Sequence, residues 1–338
     1  MNGNSSLKHH IKNALTKNGL LRLVARFASQ RIVILKYHSI QDEPERYENS
    51  IGSGIIHGRA VFAEQMELVA RKFDPVTLDD VLLFLRGDKR LPRRPVAVTF
   101  DDGYADNSEL AAPILNSLGV PAAFYVTVSA VDLVRAPWFC RLRHAFGKTA
   151  KKTWTDSTEG CVRDLVEPRT RKVAFLIAAG RCASSTGETQ EKHIRKLEEE
   201  LEVEPLSPRD VRMMNWEQVR CLRRSGHIVG SHTLTHPNAA QVAIAEFQKE
   251  CVESKRRLEE ELGSPVPHFS YPSPILQPHW TEQTVEVTKE AGYQTAVTSM
   301  AGPVQFGNNP LALQRVAVPH DKEEFLWKLE CTFLGRRT

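Results

Sequence analysis

Two adjacent aspartates, Asp101 and Asp102, close the apolar run Val96-Ala97-Val98-Thr99-Phe100. A second polar stretch, Ser231-His232-Thr233-Leu234-Thr235-His236-Pro237, follows the apolar residues Ile228 and Val229. One aspartate and two histidines are enough for a catalytic metal site, which uses three protein ligands and keeps a position open for water. The ion lowers the pKa of that water to about 7, and a carboxylate beside it can take the proton as the water attacks. Either motif alone is weak. Asp-Asp-Gly is a common turn, and His-x-x-x-His arises easily in a chain with 12 histidines. Together, each directly after an apolar strand-like run, they point to a shared metal site with one aspartate left over as a base. Adjacent strand residues point to opposite sides, so one could bind the ion while the other reaches the water. Pro237 disfavours helical dihedrals at His236, and the histidines are therefore expected to converge from a loop.

Such groups need a scaffold that brings distant strand ends together. Strand-like and helix-like segments alternate along the chain, the signature of a mostly parallel sheet. Strands are expected over 31–37, 74–78, 95–100, 122–127, 227–231, 267–271, 293–298 and 311–318. Helices are expected over 60–73, 79–85, 107–118, 216–225, 242–262, 281–291 and 323–334. His38, the aspartates, His232 and the turn 271–274 each follow the end of a different strand. In a parallel barrel all those ends emerge on one face, where active sites are built. The expected fold is a distorted (β/α) barrel of seven or eight mostly parallel strands over 31–338, preceded by a basic helical segment over 1–30. Between about 129 and 215 the alternation stops. Charged, helix-like stretches there read as a helical insertion, with Lys192, Arg195, Lys196 and Glu198 to Glu200 on a solvated face.

Composition limits the alternatives. The 338 residues are enough for one large barrel domain. A net charge of +4 without a basic-aromatic stripe argues against nucleic acid as a partner. Six cysteines form no Cys-x-x-Cys pair and read as free thiols of a reducing compartment. No stretch approaches the roughly 20 apolar residues that cross a bilayer, and Lys12, Lys17, Arg22 and Arg26 interrupt any signal-type apolar core. These features predict a cytoplasmic protein. No acidic residue precedes Asp42, so the amphipathic N-terminus is also a candidate for peripheral contact with an anionic membrane. Oligomeric state is not legible.

Thr99-Phe100-Asp101-Asp102-Gly103-Tyr104 and Ser231-His232-Thr233-Leu234-Thr235-His236-Pro237 resemble the first two motifs of the polysaccharide deacetylases, carbohydrate esterase family four. The resemblance runs from about Arg31 to about Val318. It implies Asp101 as general base, and Asp102, His232 and His236 as ligands of one divalent ion, zinc being the expected metal. It also implies Tyr271 and Ser273 as substrate or oxyanion residues, with a backbone N–H near Ser273 as oxyanion donor. The third motif departs from the family's usual Arg-x-Pro-aromatic-Gly: this chain reads Ser270-Tyr271-Pro272-Ser273-Pro274, without the arginine that orients the base. Arg315 is the candidate replacement. The late strand around Arg315 also lacks the usual acid histidine. Ile34-Leu35-Lys36-Tyr37-His38-Ser39 resembles the opening strand of the biofilm poly-N-acetylglucosamine deacetylases, which makes His38 the candidate acid. His268 and His320 compete for that role.

The implied function is hydrolysis of N-acetyl groups on N-acetylhexosamine units of a polysaccharide or glycan precursor, with an acetylated glycan as partner. Two alternatives stay open, an O-acetyl polysaccharide esterase and a catalytically silent barrel that binds glycan or serves as a scaffold. Trp138 and Phe139 in the insertion either stack on a sugar ring or pack internally.

Overall fold

The computed structural model describes residues 30–274 and 276–337. The basic segment over 1–30 therefore lies almost entirely outside the described residues. Seven parallel strands form the barrel: β1 (Arg31–Tyr37), β2 (Pro95–Phe100), β3 (Ala122–Val126), β4 (Ile228–Ser231), β5 (His268–Ser270), β6 (Thr295–Ala301) and β7 (Leu313–Ala317). Each pairs with the next, and β7 pairs with β1 through Leu35 opposite Val316. The ring is closed.

The strand residues follow from the two environments they must fill. In β1, Val33, Leu35 and Tyr37 face the outer layer with Phe62, Met66 and Phe100, whereas Ile32 and Ile34 face inward with Ala97, Ala123, Tyr125 and Leu313. A strand buried on both faces reads as a continuous apolar run, as these do. Gly230 in β4 shows how tight the interior is. A β-carbon there would lie 2.5 Å from the Tyr125 ring.

Three elements differ from expectation. The strand expected over 74–78 is only Asp74–Pro75, which pairs with β2 outside the ring, so the barrel has seven strands and not eight. The helix expected over 107–118 begins as a wide π turn, Asn107–Ala111, before the α-helix Ala112–Ser117. Pro113 has no N–H to give the Glu109 carbonyl, and Ala112 N–H instead reaches Asn107. The insertion is not purely helical. Its helices Trp138–Lys148, Pro168–Ala183 and Gly187–Glu200 surround an antiparallel hairpin, Thr153–Asp156 with Cys161–Asp164.

That insertion has its own apolar core of Trp138, Leu142, Phe146, Trp154, Ile194 and Leu197. The solvated face expected for its last helix is corrected at Glu198, which is buried against Arg141 at 2.8 and 2.5 Å. Arg141 also takes Glu191 at 2.8 Å, so the buried charges are paired. All six cysteines are free thiols. Among the described residues no helix is long and apolar enough to cross a membrane.

Candidate active site

β2 ends at Phe100, and the two aspartates part company immediately after it. Asp101 still follows the strand, its N–H donating to the Tyr37 carbonyl at 3.1 Å. Asp102 turns left-handed, with φ of +77°, and Gly103 continues at +89°. A side chain at Gly103 would press on Val126 at 3.3 Å. The pair is thus separated by a left-handed turn and not by strand alternation, which corrects the expectation above.

Asp101 lies inside the barrel mouth. Arg315, projecting inward from β7, grips it with both arms, Nη1 to Oδ1 at 2.8 Å and Nη2 to Oδ2 at 2.6 Å. The remaining guanidinium donors reach the Thr298 carbonyl, Thr99 Oγ1 and Ser270 Oγ. Ser270 Oγ also donates to Asp101 Oδ1 at 3.1 Å. Burial alone would raise the Asp101 carboxyl, but Arg315 first and His232 next outweigh it and hold it below the usual carboxylate range. The arginine missing from the third motif is therefore replaced in space by Arg315, with Ser270 in the vacated position.

Asp102 meets the histidines instead. Its Oδ1 lies 3.4 Å from His232 Nε2 and 3.4 Å from His236 Nε2. One donor atom from each of the three residues falls within 4.8 Å of the others, and all three residues are buried. His232 Nδ1 is bonded to the Ser270 carbonyl at 2.8 Å, which aims Nε2 inward, as outer partners do for metal-bound histidines. A carboxylate and two imidazoles facing one point fit a divalent ion. Burial opposes ionisation of Asp102, yet hydrogen bonds from His232 and His236 keep it well below its ordinary value.

Backbone strain gathers here. Of the five described non-glycine residues with positive φ, Asp102, Thr233 and His236 are three. Strain of this kind persists only where surrounding contacts over-determine it. Thr233 Oγ1 accepts from His236 N–H at 2.9 Å, and Trp138 Nε1 donates to the His236 carbonyl at 3.1 Å. Buried Glu250, on the helix Ile244–Leu262, accepts from the N–H groups of Leu234 and Thr235 and from the Thr235 hydroxyl.

His38 lines the same cleft as the triad, its Nε2 3.9 Å from Asp101 Oδ2. Burial pushes its pKa down to about 4, against the opposing pull of Asp102 and Asp101. Its backbone is held by Asn107, whose Nδ2 donates to the His38 carbonyl at 2.6 Å. Beside it, buried Asp106 accepts from Ser39 Oγ, Ile40 N–H and Gln41 Nε2. Burial lifts that carboxyl to about 7, against the N–H of Ile40 and the Ser39 hydroxyl. The two competing histidines are engaged elsewhere: His268 bonds Asp79 and Thr295, and His320 stacks on His57.

The cleft is lined by Asp102, His232, His236, His38 and Ser273 together with Lys36, Phe139 and Arg143. Tyr271 is not among them. Its ring is buried against Phe247, Phe269 and Trp280, its hydroxyl donates to the Leu311 carbonyl, and its N–H is spent on Val297. Of the expected oxyanion pair, only Ser273 faces the site. Trp138 is buried in the insertion core, and Phe139 sets its ring 4.4 Å from that of His236. Sequence reasoning missed Asp106, Asn107, Glu250, Lys36 and Arg143. Only Lys36 carried a signal, in standing within the motif Ile34-Leu35-Lys36-Tyr37-His38-Ser39.

Residues 88–138 and 171–296, just over half of the chain, match the polysaccharide deacetylase family model. The chain is 21% identical over 289 residues to YxkH of Bacillus subtilis, a candidate polysaccharide deacetylase, covering 85% of this chain and 71% of that protein. In fold it is similar to the Streptococcus pyogenes deacetylase PplD, solved in complex with acetate, at a TM-score of 0.61 and 17% identity. That match covers 90% of this chain and 99% of PplD. IcaB from Ammonifex degensii is similar at a TM-score of 0.58 and 20% identity, over 89% of this chain and 97% of IcaB. The aspartates and both histidines fall within the residues matched to the family, whereas Lys36, His38, Phe139, Arg143 and Arg315 fall outside them.

Proposed function

The chain belongs to the polysaccharide deacetylase family, whose members are hydrolases acting on carbon–nitrogen bonds, and from that premise we propose a metal-dependent enzyme that removes N-acetyl groups from N-acetylhexosamine units of a polysaccharide or glycan precursor. The observation that carries this reading is the division of the aspartate pair. Asp101 is locked by Arg315 and kept off the histidines, while Asp102 faces both of them. Asp102, His232 and His236 would hold a divalent ion, zinc in our proposal. Such an ion supplies Lewis-acid polarisation of the acetamide carbonyl and a lowered pKa for the attacking water.

The other steps fall to side chains of this protein. Asp101, ionised at neutral pH, takes a proton from the attacking water. Arg315 fixes both of its oxygens during the transfer. The backbone at Ser273 donates to the oxyanion, since the Tyr271 N–H is already spent. His38 enters the reaction neutral, because burial holds its pKa near 4. Its Nε2, 3.9 Å from Asp101 Oδ2, is placed to receive the abstracted proton and pass it to the amine nitrogen as the carbon–nitrogen bond breaks. An amine leaves poorly without that proton.

Acetate release from N-acetylated oligosaccharides tests the reading. The metal-loaded protein should release acetate, a chelator should stop it, and added zinc should restore it. Release that is indifferent to chelation would refute the metal assignment. Release from O-acetyl but not N-acetyl substrates would select the esterase alternative.

A further inference from the structure

Two cations line the cleft that the chemistry above does not use. Lys36 sits on β1 two residues before His38, between Leu35 and Tyr37, which face the outer layer. Arg143 comes from the insertion helix Trp138–Lys148. Both line the same pocket as Asp102, His232, His236 and Ser273. Lys36 Nζ donates to Ser299 Oγ at 3.1 Å, and Ser299 Oγ donates in turn to Ser273 Oγ at 2.8 Å. Arg143 lies 5.7 Å from the centre of the Phe175 ring. Among the described residues, neither cation has a carboxylate within 4.0 Å.

Elsewhere among the described residues, the buried cations Arg315 and Arg141 are paired with carboxylates, whereas half-buried Arg31 and Arg171 bond backbone carbonyls. Arg315 forks Asp101, Arg141 holds Glu191 and Glu198, and Arg181 holds Asp156 and Glu159. Removing a cation from water is costly unless an anion meets it. Lys36 bears that cost, since burial first and Arg315 second bring its pKa down to about 8, despite Asp101 and Asp102 pulling the other way. Lys36, Arg143 and Arg315 together outnumber the two aspartates, and a divalent ion would widen the positive excess. A neutral acetamido sugar would leave that excess unmatched. Both cations lie outside the residues matched to the family.

We propose that the cleft selects an N-acetylated sugar carrying an anionic oxyacid group, a carboxylate or a phosphate, which Lys36 and Arg143 bind while the acetamide faces the Asp-His-His triad. Lys36 would contact the anion from the barrel floor and Arg143 from the insertion wall. Phe139 and Ile55, also lining the cleft, cover apolar parts of the sugar. The proposal rests on the deacetylase reading for the acetamide, but the anion site itself is tested separately.

Equilibrium binding to the metal-loaded full chain would compare N-acetylglucosamine 1-phosphate, N-acetylgalactosaminuronic acid and neutral N-acetylglucosamine. The wild-type protein should bind one or both charged probes at least about tenfold more tightly than the neutral one, as charge-assisted hydrogen bonds allow. Whichever charged probe binds more tightly identifies the anion. Lys36→Gln and Arg143→Gln should each reduce the preference severalfold, and together they should reduce it further than either alone. Lys36→Arg, which keeps the charge, should keep the preference. The triad is intact in every variant, so attraction to the ion cancels from these ratios. Equal affinity for charged and neutral probes, or a preference that the double substitution leaves unchanged, would overturn the proposal. If the preference stands but N-acetylated oligosaccharides release no acetate, the anion site is upheld and it is the deacetylase reading that fails.

Discussion

The floor of the cleft and its insertion wall are built on opposite plans. On the floor, the Asp101–Arg315 pair is joined to three strands or strand ends: Thr99 on β2, Ser270 on β5 and Thr298 on β6. Asp101, Ser270 and Arg315 cannot move without breaking bonds to each other. On the wall, a single helix, Trp138–Lys148, presents Phe139 and Arg143, and the helix is anchored to the insertion's separate core. One hydrogen bond, from Trp138 Nε1 to the His236 carbonyl, ties that wall to the histidine loop. Rigid placement, which acid-base chemistry needs, comes from side chains drawn from many strands. Substrate selection can come from one helix whose outward groups have few partners of their own.

The largest expected effect tests the floor. Arg315→Met leaves Asp101 buried and unpaired, so it should destabilise the fold by about 3–5 kcal/mol in urea unfolding. Acetate release should fall by about 10²–10⁴-fold, the range of a misplaced general base. Activity close to wild type would mean that the arginine fork does not hold the base. Next in size, His38→Ala should keep metal and fold while losing amide hydrolysis far more than hydrolysis of an activated acetyl ester, whose leaving group needs no proton. Equal losses on the two substrates would take the acid role away from His38.

The wall should behave differently. Phe139→Ala should raise KM severalfold with kcat little changed, the pattern of lost uniform binding. A fall in kcat at constant KM would place the wall within the chemistry and erase the contrast. The smallest effect belongs to the rim beside β1. Burial and the neighbouring His320 push His57 down to about 4, partly offset by its bond to the Val318 carbonyl. The folded protein therefore resists protonation that the unfolded chain accepts near 6.5. Stability from this group is complete above about pH 6.5 and is lost as pH falls toward 4. Urea midpoints of His57→Gln should accordingly drop less between pH 7 and pH 4.5 than those of wild type, and an identical drop would remove His57 from the acid response.

The same contrast explains what is legible in the amino-acid sequence. Asp101, Asp102, His232 and His236 stand in short contiguous motifs after apolar runs, so both their strands and their convergence on one barrel face can be anticipated. Arg315 is legible only as a candidate, because its pairing with Asp101 spans more than 200 residues and depends on ring closure between β7 and β1. Glu250 and Asp106 have no local signature, since each acts on backbone that only the folded loops bring near. Tyr271 misleads in the other direction: its place in a motif suggests the cleft, yet its ring supplies core packing. Alternation also proves a poor guide at Asp102, where the left-handed turn, and not the strand, decides which way the side chain points.

The central claim is that the neighbouring aspartates have separate tasks, and paired measurements on Asp101→Asn and Asp102→Asn test it most directly. Metal content by elemental analysis and acetate release would be read on the same preparations. Asp101→Asn should retain the ion at wild-type occupancy and lose turnover by about 10²–10⁴-fold. Asp102→Asn should lose turnover together with the ion. Equal metal content in the two variants, whether full or depleted, would contradict the division of the pair.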